Sequence, residues 1–434
     1  MKMSITTKVI AICLLLITNN TFAQKLNRTE KKILKTITAN NSDAIEFLKK
    51  IVNINSGTMN HKGVKKVGDV FGKAFEDIGF KTSWYDLSAV NRAGHLFAET
   101  NGNKGKKVLL IGHLDTVFEA DSPFQEFKMI NDSVAHAPGG NDMKGGNVIM
   151  LYALKALADN GLLKNAQVIV AYIGDEESTG KPLTISRKDL IEAAKRSDIA
   201  LGFEASSGLN EATIARRGAS GWKVEVTGKR AHSSDIFSDE VGAGAIFELS
   251  RIINEFYNDV RGEEYLSFNP GVILGGTFTD FDAAFSKGNA FGKSNVVAQT
   301  AVVDGGLRFI SEAQKEKARE KMRAIVANNL PLTSAKISFI DSYPAMGPTK
   351  GNEALLEVLS QVSVDLGYGK VIAYDPSKRG AADVSFVAAY TDCLDGLGTM
   401  GNGGHTPQET VNLNTIEALT QRAAILIYRL INQE

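Results

Sequence analysis

At 434 residues the chain is too long for one small core, and a norm of roughly 100–200 residues per domain divides it into two or three. Apolar residues make up 43% and charged residues 23%, proportions of an ordinary folded protein that exclude a fibrous or disordered chain. Lysine plus arginine equals aspartate plus glutamate at 49 each, so no net field draws the molecule to nucleic acid or to an anionic membrane.

The N-terminus has the make-up of an export signal. Lys2 and Lys8 are basic, residues 9–17 are apolar, and Thr21-Phe22-Ala23 is a small-x-small cleavage site before Gln24. The apolar run is about half of the ~20 residues that a spanning helix needs, so a periplasmic or secreted protein is expected, with no membrane anchor after cleavage. Cys13 lies in that segment, which leaves Cys393 without an intramolecular disulfide partner. Residues 25–41, polar and basic, read as a loose lead-in. Ser42 then caps a helix with Ile45, Phe47, Leu48, Ile51 and Val52 on its apolar side, and a second helix is expected at 64–78. Apolar, partly β-branched runs at 108–111, 168–173 and 199–203 suit buried strands, and helical stretches at 146–160 and 183–195 separate them. That alternation predicts an α/β domain built on a mixed sheet with helices on both faces.

The texture changes near Arg216. Residues 222–227 alternate like a half-buried strand, 241–259 are helical, and 296–309 are expected to give two strands around Asp304-Gly305-Gly306. Ser311 and Gln314 form a capping box for a charged helix to about residue 329, and 336–340 end the block as a strand. The order is that of a ferredoxin-like βαββαβ unit, placed here at 216–341 as an insertion between main-domain segments 24–215 and 342–434. The main fold resumes with a helix at 353–366, a strand near 371–374, a helix around 383–390 and a last helix from Thr415.

Side chains of metal-ligand type fall where the strands end, the place at which open α/β sheets build sites. The run at 108–111 leads into Gly112-His113-Leu114-Asp115, that at 168–173 into Gly174-Asp175-Glu176-Glu177, and that at 199–203 into Glu204. Residues 394–399 lead into Gly401-Asn402-Gly403-Gly404-His405, and Asp142 sits in a glycine-rich loop that opens onto a helix. Imidazole with carboxylate, and no thiolate, suits a hydrolytic Zn²⁺ or Mn²⁺ site. The inventory is large enough for two cations sharing a bridging carboxylate.

Gly112-His113-Leu114-Asp115-Thr116-Val117, Asn141-Asp142-Met143-Lys144-Gly145-Gly146, Asp175-Glu176-Glu177 and the late His405 together resemble the M20 family of di-zinc peptidases and deacylases, most nearly its glutamate carboxypeptidase type. The likeness runs over nearly all of the mature chain. It implies two Zn²⁺ per chain, with Co²⁺ or Mn²⁺ able to substitute. By that likeness Asp142 bridges, His113 and Glu204 complete one metal set, and Glu177 and His405 the other. Asp115 matches the residue that orients the His113 imidazole, and Glu176 the general base. His232 matches a histidine that reaches the partner subunit's site, which makes the inserted unit a dimerisation (lid) domain of a homodimer. Arg379 lies in the glycine-rich substrate loop, where its fork suits a carboxylate, and Asn295 is a further candidate for substrate contact. Arg379-Gly380-Ala381-Ala382-Asp383 departs from the Gly-Gly-Gly-Thr-Asp common at that point.

The resemblance implies a carboxypeptidase acting on a peptide or N-acyl amino acid. Glutamate rather than aspartate at 204 favours it over an aminopeptidase. An N-acyl-amino-acid deacylase of the acetylornithine or succinyl-diaminopimelate kind is the alternative, and a non-catalytic periplasmic binding protein the remote one. His61 and His95 are expected at the surface, His136 in loop packing, and Trp84 and Trp222 in the core or an interface.

Overall fold

The computed structural model describes residues 26–283 and 285–433, so the expected export segment and its cleavage point lie outside the described residues. Six strands form the main sheet in the order Lys81–Asp86, Gly94–Glu99, Ala166–Ile173, Lys104–His113, Ile199–Gly202, Asp392–Leu394. The last four run parallel, and the first two add an antiparallel edge. Alternate side chains of the central strands feed separate cores. Val108 and Leu110, with Val168, Val170 and Tyr172, pack under helices Arg28–Val52, His61–Asp77, Gly145–Asp159 and Ile416–Ile431. Leu109 and Ile111, with Ile169, Ala171 and Ile173, face Lys188–Lys195 and the short helix Val384–Val387. The period of two along a strand therefore places helices on both faces, as expected. Among the described residues, no helix is long and apolar enough to cross a membrane.

The lead-in expected at 25–41 is instead the first half of one 25-residue helix, Arg28–Val52. Asn27 accepts the Glu30 amide at 2.9 Å while the Glu30 carboxylate accepts the Asn27 amide at 2.8 Å, a reciprocal capping box. Ser42 is an interior residue. Ile33 and Ile37 are buried in line with Ala44, Leu48 and Ile51, at a spacing that the intervening lysines obscure.

Residues 218–341 carry a second, four-stranded antiparallel sheet in the order Ser267–Gly276, Thr300–Phe309, Gly218–Thr227, Ser334–Asp341. Helices Gly244–Glu255 and Glu312–Ala327 cover one face over a core that includes Trp222, Val224, Leu249, Phe256, Leu307 and Met322. The βαββαβ pattern is present, with one correction. Residues 296–309 do not make two strands: Thr300–Phe309 runs straight through Asp304-Gly305-Gly306, and its partner is Ser267–Gly276. Gly305 serves close packing rather than a turn, since a Cβ there would lie 2.2 Å from the Asn269 carbonyl oxygen. A hairpin, Phe278–Asp282 with Lys287–Phe291, is added between these strands. Ser311 accepts the Gln314 amide as expected, but Gln314 Oε1 accepts from Ile310, one residue earlier than a capping box requires. The chain enters and leaves this unit side by side, with Arg216 bridged to Met346 and the Ala219 amide donating to the Tyr343 carbonyl.

A small sheet of Lys128–Met129, Val134–His136, Thr410–Asn412 and Gly401–Asn402 flanks the mouth of the main sheet. It ties together the loops that carry Asp142 and His405.

Candidate metal centre

Three parallel strands deliver their ends to one rim. His113 closes Lys104–His113, Glu176 and Glu177 follow Ala166–Ile173, and Glu204 follows Ile199–Gly202. Asp142 comes from the loop before helix Gly145–Asp159 and departs from helical backbone at φ −125°, ψ 91°. Gly139 enters that loop at φ +64°, and a Cβ on it would lie 2.1 Å from Thr116 Cγ2, so the loop can press onto the His113 strand end only with glycine there. His405 arrives from a turn of the flanking sheet, with a side chain 58% exposed against 1% for His113.

The Asp142 carboxylate lies between the two imidazoles. Oδ1 is 3.2 Å from His113 Nε2 and Oδ2 is 3.0 Å from His405 Nε2. Glu204 Oε1 stands 3.8 Å from His113 Nε2, and Glu177 Oε2 stands 3.3 Å from His405 Nε2. Two potential ligand sets result, His113–Asp142–Glu204 and Asp142–Glu177–His405, each with its donor atoms within 4.8 Å of one another. They share Asp142. Glu176 joins His113 and Glu177 in a third, overlapping set.

The electrostatics fit a cation site. Burial, reinforced by Asp142, pushes Glu177 up to about 9 and Glu204 up to about 7. Burial also raises Glu176, with Glu204 and Asp383 adding to it. Burial opposes ionisation of Asp142 too, but hydrogen bonds from His113 and His405 outweigh it and hold this carboxyl well below the usual range. The hydrogen bond to Asp142 raises His405 to about 9. Glu177 Oε1 is buried with no hydrogen-bond partner. Such a cluster of carboxylates ionises together only around positive charge, and imidazole and carboxylate are the donors that divalent zinc takes.

Asp115 does more than orient an imidazole. The nearest acceptor to His113 Nδ1 is the Asp115 carbonyl at 3.0 Å, with the carboxylate Oδ1 at 3.5 Å. That carboxylate accepts the amides of Glu176 at 3.0 Å and Glu177 at 3.1 Å, and the Thr58 hydroxyl at 2.6 Å. It thereby fixes the turn that presents both glutamates.

Several supporting residues escaped the sequence reading. Glu409, fully buried, accepts the amides of Gly139, Asn141 and Asp142 at 2.9–3.0 Å. Asn147 donates to the His113 carbonyl at 2.6 Å. Arg187, also fully buried, bonds Asp175 and reaches Asp383 at 2.8 Å behind the Glu176 turn. Arg216 pairs with Asp395 at 2.6 Å, and Asp395 accepts the Glu204 amide at 3.3 Å. Asp395 directly follows strand Asp392–Leu394, so the strand-end rule that found Glu204 would have found it as well.

His95 is not at the surface. It is fully buried, with Nε2 2.8 Å from the Ser186 carbonyl and Nδ1 accepting the Gly174 amide at 3.0 Å. Arg379 lies beside the chain that follows Glu204, donating from Nε to Thr213 Oγ1 at 3.2 Å and from Nη2 to the Ala205 carbonyl. His232 and Asn295 are neighbours on the second sheet's side, where the Ser233 amide donates to the Asn295 carbonyl at 2.9 Å and both residues are exposed. Neither takes part in the ligand sets above. Trp222 is core, its Nε1 donating to the Gly306 carbonyl at 3.0 Å, and Trp84 is half-buried.

Residues 109–429, which hold nearly all of this geometry, match peptidase family M20/M25/M40. The chain belongs to that family. As an M20 protein it is a hydrolase, and its relatives agree. It is 25% identical over 392 residues to carboxypeptidase G2 of a Pseudomonas species, with 88% of each chain covered. It is 30% identical over 161 residues to succinyl-diaminopimelate desuccinylase of Corynebacterium glutamicum, covering 37% of this chain and 42% of that one. In fold it resembles aminopeptidase PepT of Bacillus cereus, with a TM-score of 0.72, 18% identity, and 91% and 99% of the two chains covered. The M20 metallo-carboxypeptidase of Sulfolobus solfataricus gives 0.63 at 16% identity, with 90% and 99% covered.

Proposed function

We propose that this M20 hydrolase uses two divalent metals, zinc in the native protein, to cut an amide bond and release a C-terminal amino acid from a peptide or N-acyl conjugate. The observation that carries the reading is Asp142, which offers one oxygen to each of two histidine–carboxylate sets. His113 and Glu204 would complete one set, and Glu177 and His405 the other. When bound, the cations acidify water and draw charge from the scissile carbonyl. Glu176 sits beside these sets without being needed by either. It accepts the proton of the attacking water and returns it to the leaving nitrogen. Asp115 keeps that carboxylate on station through the Glu176 amide.

Likeness to carboxypeptidase G2 over 88% of the chain supports release of a C-terminal residue, glutamate-type among the options. Arg379 donates from Nε and Nη2 to Thr213 and Ala205 beside the chain that follows Glu204, and with Asn295 it is a candidate for substrate contact. The shorter likeness to a desuccinylase supports an N-acyl-amino-acid deacylase as the second reading. His232 would serve the partner subunit's site in a homodimer built through the inserted unit. Helix Gly244–Glu255 leaves Ile246 and Phe247 exposed, and edge strand Ser267–Gly276 leaves Ile273 exposed, which is the kind of surface a symmetric interface covers. Export to the periplasm or medium is part of the proposal, on the N-terminal segment alone.

A panel of C-terminal dipeptides, N-acyl amino acids and amidated peptides, assayed with zinc, tests the reaction. Free-carboxylate amides should be cut and amidated ones spared. Glu176→Gln should lower kcat by about 10²–10⁴-fold with metal content unchanged. Activity within tenfold of the parent would remove Glu176 from the role, and brisk cleavage of amidated peptides would remove both readings.

A further inference from the structure

Beside the acidic metal centre lies a groove of the opposite sign. It has a volume of about 540 Å³ and runs between the N-terminal half of helix His61–Asp77 and the segment joining Lys81–Asp86 to Gly94–Glu99. Lys62, Lys65 and Lys66 line one wall, and Trp84 and Arg92 the other. The acids that face it are largely engaged. Asp69 pairs with Lys65, and Asp86 accepts from the Ser88 amide and hydroxyl. Lys62 and Lys66 have no ion pair among the described residues, and Arg92 bonds only the Asn91 carbonyl and Ser178. Lys62, Lys66 and Arg92 are thus without an ion pair among the described residues, and four cations line the groove against two carboxylates, in a chain whose formal net charge is zero. His61 adds an Nε2 that is buried without a partner. The Trp84 indole lies 4.8 Å from Lys65 Nζ.

Both walls are anchored to the reaction centre. Arg92 Nε donates to the carbonyl of Ser178, the residue after Glu177. The helix wall starts three residues beyond Thr58, whose hydroxyl holds the Asp115 carboxylate at 2.6 Å. From His61 to Asp69 the helix rises about 12 Å, the length of three or four extended residues at roughly 3.3–3.6 Å each. The groove therefore shares with the metal centre the turn that carries Glu176 and Glu177 and the segment that leads from Thr58 into the helix.

We infer that the groove is a subsite for the acyl side of the substrate and selects acyl groups or peptide segments that carry carboxylates. The inference rests on the reading of the chain as an amide hydrolase centred on Asp142. Lys62, Lys66 and Arg92 supply the attraction, Trp84 packs against the intervening methylenes, and the groove's openness suits variable lengths. Contacts of this kind are screened, so the preference weakens as the Debye length falls from ~10 Å at 0.1 M salt to ~3 Å at 1 M.

The test compares N-acetyl tetrapeptides that share one C-terminal residue and differ only in three preceding glutamates or glutamines. The acidic peptide should show a kcat/KM roughly tenfold higher at low ionic strength, with the gap closing in high salt, as expected for a few exposed charge pairs. In the double variant Lys62→Glu, Lys66→Glu the preference should disappear or invert. Equal cleavage of both peptides, or an intact preference in the double variant, overturns the inference while leaving the amide hydrolase reading in place. Binding of the same peptides to Glu176→Gln protein by calorimetry reads the groove without turnover. Equal affinities there overturn it even if neither peptide is cut, whereas tighter binding of the acidic peptide with no cleavage of any panel substrate upholds the groove and removes the reaction.

Discussion

At the scale of single residues, the centre depends on side chains that never reach a metal. Glu409 holds three amides of the Asp142 loop, with Oε1 taking those of Asn141 and Asp142 and Oε2 that of Gly139. Glutamine at 409 keeps the shape but turns an NH₂ toward one of these donors. Hydrogen bonds to charged groups are worth about 1.5–3 kcal/mol, so Glu409→Gln should lose roughly that much stability in urea unfolding. It should also release metal at lower chelator concentration, because the loop that carries the shared ligand is loosened. Unchanged unfolding and unchanged chelator resistance would make the three bonds incidental. His113, Asp142, Glu177 and Glu204 were legible because they end or follow a strand or open a helix, which is a pattern in sequence, whereas the strand expected to lead to His405 ends at Leu394 and His405 sits in a later turn. Glu409 follows Pro407 and Gln408 in a turn with no period, and its partners lie 267–270 residues earlier, so nothing local announces it. His95 was misread for a related reason. Its neighbours are mixed in polarity, but its strand, Gly94–Glu99, is paired on both sides and covered by the Ser186 turn.

At the scale of elements, apolar period and caps located most helices and parallel strands, and failed where one of the two was diluted. Helix Arg28–Val52 begins with a complete capping box, yet Lys31, Lys32, Lys35, Thr36 and Thr38 surround Ile33 and Ile37. Its start is tied to the far end of the chain, since Glu30 accepts from Arg429 at 2.7 Å and Arg429 reaches Asp365 at 2.7 Å. Asn27→Ala should lower stability by about 1 kcal/mol, within the 0.5–2 kcal/mol of a lost N-cap, while kcat/KM stays at the parent value. No change in the unfolding midpoint would mean that the first turn is frayed in solution. Strand Ser267–Gly276 was missed because Pro270, Gly271, Gly275 and Gly276 interrupt any alternation. Its register shifts between Pro270 and Val272, so it pairs as an edge strand with a bulge, the place where proline is tolerated in a sheet.

At the scale of the whole molecule, the change of texture near Arg216 marked the second sheet, but sequence gives no measure of how far His232 stands from Glu176. In one chain His232 is exposed, and its imidazole Nδ1 lies 2.8 Å from the Ser234 hydroxyl. If a partner subunit supplies it, Glu176→Gln and His232→Ala proteins, each nearly inactive, should regain about one quarter of the parent activity when their subunits exchange at random in a two-fold dimer. No recovery after verified exchange would confine His232 to its own chain. One feature of the joint between the two sheets bears on how such an assembly would act. Tyr343 lies where the chain returns from the second unit, its carbonyl accepting the Ala219 amide at 2.8 Å. The same residue donates its hydroxyl to the Glu176 carbonyl at 2.6 Å and packs its ring, tilted by 54°, against Phe386 at 4.9 Å. The root of the outer unit and the Glu176 peptide are therefore joined through one residue. Any tilt of the outer unit would therefore be carried by Tyr343, as by the short arm of a lever, to the peptide of Glu176.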